Sequence, residues 1–100
     1  MTNPGNGPVY QVKLSKKIIK VIKELHKQAA QQGQGQRYLA SLEAVHHRLQ
    51  KDPRDFGEPL YRLPALRLLV YQAIVSPVVV HYGVHEEKPL VFLKGVQLLT

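Results

Sequence analysis

Residues able to do chemistry are few in this 100-residue chain, and their spacing excludes more than it offers. Five histidines are present, yet His46 and His47 are adjacent and point apart, and no pair has the helix-face spacing of a zinc motif. Zinc needs convergent ligands, so neither a metal nor any other cofactor is expected. Cysteine is absent, which removes thiolate nucleophiles, thiolate metal sites and disulfides. Ser15, Ser41 and Ser76 read as a helix cap, a helix-surface residue and a turn residue, and none stands in a glycine-flanked nucleophile elbow. Gly33-Gln34-Gly35 leaves a helix and lacks the Lys and Ser/Thr of a phosphate loop.

What remains lies in the second half. Arg62, Arg67, Lys88 and Lys94 interleave with Tyr61, Tyr71, Tyr82 and Phe92. Basic side chains neutralise phosphates and aromatic rings stack on bases, so this is the composition of a single-stranded nucleic-acid platform. It is equally that of an ordinary sheet, in which Tyr and Phe pack the core. Strand neighbours alternate, so His81 projects to the face opposite Tyr82. Fourteen Lys and Arg against seven Asp and Glu give a formal charge of +7, which favours anionic partners such as nucleic acid or an acidic protein, or serves solubility alone.

The elements that must position these residues follow from pattern. With 44% apolar and 21% charged residues, the chain reads as one globular domain over residues 9–100 after a flexible N-terminal tail over 1–8. Val9 to Leu14 alternates as a short strand, and Ser15 stands where a helix N-cap belongs. A first helix runs from Lys16 to Gln32 and stops at Gly33. Ile18, Ile22, Leu25 and Ala29 form its inner face, with Lys16, Lys20, Lys23 and Lys27 as a lysine stripe on the other side and His26 on the flank. A second, antiparallel helix runs from Gln36 to Gln50, with Leu39, Leu42, Val45, His46 and Leu49 inward and His47 outward, ending before Asp52-Pro53. Asp52 to Glu58 reads as a loop.

Leu60 to Thr100 reads as three strands, broken at Ser76-Pro77 and at His85-Glu86-Glu87-Lys88. Leu66 to Val75 is apolar almost throughout, which predicts a strand central in the sheet and covered on both faces, by this chain or a partner. The fold class is therefore α+β, β-α-α-β-β-β, with two antiparallel helices on a four-stranded, mostly antiparallel sheet. No apolar run approaches the ~20 residues that span a bilayer, and the start lacks signal-peptide character, so no membrane contact and a cytoplasmic location are expected.

This order of elements, with Asp52-Pro53 closing the helix pair, the step Gly57-Glu58-Pro59-Leu60, the triplet Val80, Tyr82, Val84, an acidic turn and a last apolar strand, resembles the RelE/ParE superfamily of toxin-antitoxin toxins. The resemblance implies a toxin neutralised by an antitoxin protein and acting either as a ribosome-dependent mRNA endonuclease or as an inhibitor of DNA gyrase. In the nuclease branch, sheet Arg and Lys residues hold the scissile phosphate and a base activates the 2′-OH. Carried onto this sequence, His81 is the proton-transfer candidate, Arg67 and Lys94 bind phosphate, and Arg62, Lys88 and Tyr82 complete a nucleic-acid surface. Val79 and Gly83 stand where Arg is common in the family, and Gln97 and Leu98 where a polar pair is often found, so the catalytic set is depleted. A second reading follows, a non-enzymatic nucleic-acid- or protein-binding module on the same scaffold with the nuclease site lost.

Overall fold

In the computed structural model, which describes residues 9–99, the first strand and the helix pair lie where the sequence puts them. Strand β1 is Gln11–Lys13, helix α1 is Lys16–Gln31 and helix α2 is Gly35–Lys51. Ser15 Oγ accepts from the Ile18 N–H at 3.1 Å and so satisfies one of the donors left open by the first turn. Gly33, at φ +73, makes the left-handed exit that lets α2 return beside α1. Ile18 and Ala29 are buried, Ile22 and Leu25 half-buried, and all four lysines of the stripe exposed. The tail predicted over residues 1–8 lies outside the described residues.

The α+β class holds, but the strand and helix counts are larger than the sequence predicts. Helix α3 is Pro53–Phe56, and strands β2 (Glu58–Leu63), β3 (Leu68–Val75), β4 (Val78–His85) and β5 (Leu90–Leu98) follow. They form one five-stranded sheet in the order β1-β5-β4-β3-β2. β1 runs parallel to β5, and the other three pairings are antiparallel. The added strand comes from dividing the span read as the first strand of the meander. Pro64, with fixed φ and no N–H, opens a 3-10 turn over Pro64–Leu66, and Arg67 at φ 54 completes the reversal, so that Leu63 pairs with Leu68. Pro53 likewise converts the predicted loop into one helical turn, because it is pre-set for a first helical position.

β3 lies inside the sheet between β4 and the edge strand β2, as predicted for most of Leu66 to Val75, while β4 is the middle strand of the five. Leu68 and Val70 are buried on the side away from the helices, covered by this chain's own side chains. Leu68 folds over Gly83, where a Cβ would meet Leu68 Cδ1 at 3.1 Å.

On α2 the inner face is rotated from the one predicted. Tyr38, Ser41, Val45 and Leu49 are buried, while Leu39 and His46 are exposed. Tyr38 wins the inward position because its hydroxyl has a partner there, donating to the Ile22 carbonyl at 2.8 Å, and burial pushes that hydroxyl's pKa up to about 12. Ser41 is not a surface residue, since its hydroxyl donates to the Ser76 carbonyl at 2.9 Å and ties α2 to the β3–β4 turn.

The core is sealed at Tyr82. Its ring stacks between Phe56 and Tyr71, and its hydroxyl donates to the Pro53 carbonyl at 2.7 Å, which pins α3 to the middle of the sheet. Gly57 permits this approach, because a Cβ there would stand 2.6 Å from the Tyr82 hydroxyl and 2.7 Å from the Gln72 carbonyl oxygen. Removing that hydroxyl leaves a buried carbonyl unpaired, so Tyr82→Phe is expected to lower stability by about 1–3 kcal/mol in urea denaturation. An unchanged midpoint would show that the bond contributes nothing.

Candidate functional site

Alternation along β4 sends Val80, Tyr82 and Val84 under the helices and Val79, His81, Gly83 and His85 to the side away from them, where Val79 and Gly83 are buried and the two histidines half-buried. His81 pairs with Gln72 of β3 across the hairpin, with its Nε2 2.8 Å from Gln72 Oε1. In the neutral tautomer that carries its proton on Nε2, this contact is a hydrogen bond to the amide oxygen and Nδ1 keeps its lone pair. On the other side His81 pairs with Gly95, where even a Cβ would sit 3.8 Å from His81 Nδ1.

The register between β4 and β5 slips here, with His81 opposite Gly95 and Tyr82 opposite Leu93, so Lys94 is an extra, bulged residue. Its ammonium reaches over the side of the sheet away from the helices, to 5.9 Å from the centre of the Tyr61 ring. A cavity of about 360 Å³ includes His81, Lys94, Lys17 and Gln97 in its wall, and no Asp or Glu among the described residues lines it. A second depression of about 270 Å³, lined by Leu66, Leu68, His85, Phe92 and Lys94, lies on the far side of Lys94.

The other predicted residues lie apart from this pair. Arg67 is five residues along the chain from Gln72, roughly 16 Å at about 3.3 Å per residue, so it does not converge with His81. Its Nη1 donates to Glu87 Oε2 at 2.6 Å. Arg62 grips Glu86 with Nε and with Nη2, the latter at 2.9 Å. Lys88 is exposed in the β4–β5 turn. Tyr82, read from the sequence as part of a nucleic-acid surface, sits fully buried on the helix side, where burial pushes its hydroxyl above the ordinary tyrosine range and its ring cannot meet a base. His26 stacks on Tyr38 with ring centres 5.8 Å apart, and His46 and His47 are exposed. Among the described residues no group of three His, Asp or Glu side chains could hold a metal ion, and no helix is long and apolar enough to cross a membrane.

Gln72 and Arg54 escape a reading by residue type. Counting out from Ser76-Pro77 would have placed Gln72 opposite His81, so hairpin register carried the signal for it. Arg54 had none, because its segment reads as a loop.

No family model, curated protein or solved structure matches the chain.

The Arg62 guanidinium, by hydrogen bonding first and charge second, holds the Glu86 carboxyl below the ordinary glutamate value of 4.5. A depressed carboxylate stabilises the fold above its ordinary pKa and loses that contribution as pH falls through the lowered value. An NMR titration of the Glu86 carboxyl is therefore expected to give a midpoint below 4.5, returning toward it in Arg62→Met. A Glu86 midpoint that ignores the substitution would show that the pair does not form.

Proposed function

We propose that this chain is a toxin-like component of a type II toxin-antitoxin pair on a RelE/ParE-like scaffold, restrained by an antitoxin protein and directed at RNA on the ribosome. The observation that carries the reading is His81, in contact with Gln72 and half-buried in the wall of a cavity that also includes Lys94 and, among the described residues, no carboxylate. An imidazole whose Nε2–H is engaged can take a 2′-OH proton at Nδ1, and an ammonium such as that of Lys94 can offset charge developing on the phosphate. The shared wall of one cavity supports those two roles together.

A second reading, a binding module without nuclease activity, is favoured by the state of the arginines. Arg67 is paired with Glu87 and lies away from His81, and Arg62 is paired with Glu86, so the positive charge that cleavage needs is withheld from His81. Arrest of growth through gyrase would require neither residue in a catalytic role.

Induced expression in a bacterial host is expected to arrest growth, and purified protein is expected to cleave mRNA on ribosomes. His81→Ala should slow cleavage by roughly 100-fold or more, the size of a lost general base. Arrest with intact mRNA would move the target to gyrase or elsewhere. The absence of both arrest and cleavage would overturn the toxin reading and leave the binding module.

A further inference from the structure

Three arginines from three parts of the chain converge on one turn. Arg54 of α3 donates through Nη2 to the carbonyls of His85 and Glu86 at 3.0 and 3.2 Å. Arg62 of β2 takes the Glu86 carboxylate in a fork, and Arg67, between the 3-10 turn and β3, takes that of Glu87. The turn's backbone is held separately. The Glu86 N–H donates to the Arg67 carbonyl at 2.9 Å, and the N–H groups of Glu87 and Lys88 donate to His85 Nδ1 at 3.1 and 3.0 Å.

A guanidinium fork that accepts a carboxylate bidentately accepts a phosphate by the same geometry. In a chain of +7 charge with only seven acidic residues, two adjacent carboxylates occupy two of these three arginines. The Arg62 and Arg67 side chains are 56% and 59% exposed, and ion pairs at such a surface are weak and screened by salt. Because the backbone of the turn has its own hydrogen bonds, the two carboxylates can leave by side-chain rotation alone.

We propose that the Glu86-Glu87 turn is an autoinhibitory contact: its carboxylates fill a phosphate site made by Arg62 and Arg67, while Arg54 holds the turn's backbone, and the backbone of a single-stranded nucleic acid displaces the carboxylates. The inference rests on the nucleic-acid part of the reading above and requires no cleavage.

The test measures fluorescence anisotropy of a labelled, mixed-sequence single-stranded oligoribonucleotide against the whole protein over a range of NaCl concentrations. Glu86→Gln/Glu87→Gln is expected to bind roughly tenfold tighter than the unaltered chain, with a salt slope steeper by roughly 1.4 for two freed arginines at about 0.7 each. Glu24→Gln/Glu43→Gln removes the same charge from exposed positions on α1 and α2 and is expected to give a much smaller gain. Adding Arg62→Met/Arg67→Met to the turn variant should abolish the gain, with amide spectra confirming that each variant is folded. Equal gains from the two glutamate pairs would overturn the proposal by showing a general charge effect, as would a gain that survives loss of the arginines or an absence of RNA binding in every variant. Tighter binding by the turn variant without mRNA cleavage would uphold the proposal while sinking the nuclease.

Discussion

A strand can show its side chains to two sides only, and the alternation of β4 divides this protein between packing and chemistry. Val80, Tyr82 and Val84 are fully buried under the helices, and His81 and His85 are carried half-buried to the opposite side by the same spacing. A slip by one residue would exchange the two sets and drive imidazoles into the core. Tyr82 favours the observed register, because its ring stacks on Phe56 and Tyr71 and its hydroxyl satisfies the Pro53 carbonyl on the helix side. The position of His81 is thus a consequence of how the core is built.

Local signals in the sequence were legible because their physics is local. Ser15 caps, Gly33 reverses and Pro53 follows the end of α2, and each acts within a turn of its own position. The division of β2 from β3 was not, since Arg67 takes a left-handed conformation that its residue type does not announce. Missing it hid the pairing of Arg62 and Arg67 with the acidic turn, because that pairing depends on the return of β2 along β3. The parallel union of β1 with β5 joins the two ends of the chain and leaves no short-range pattern. Tyr82 could have been assigned inward from its company, as Val80 and Val84 share its side while the other side carries both histidines.

The net charge of the chain describes its surface poorly. The lysines of α1 lie on a solvated face, whereas the arginines of the sheet half are drawn into ion pairs at the end of the sheet where β4 turns into β5. Lys94 reaches over the side of the sheet away from the helices, because a bulge turns the extra residue outward against Tyr61. The positive charge of this protein is therefore unevenly distributed, open on α1 and paired at the acidic turn.

The division of β4 into two faces can be read directly, because the chain has no cysteine and any introduced thiol is unique. His81→Cys, His85→Cys, Val80→Cys and Val84→Cys can each be treated with a thiol reagent under native conditions and the modification rates compared. The thiols at positions 81 and 85 are expected to react readily, and those at 80 and 84 only at the rate at which the protein opens. Thiols at 80 and 84 that react as fast as the one at 81, in protein that remains folded, would contradict the account.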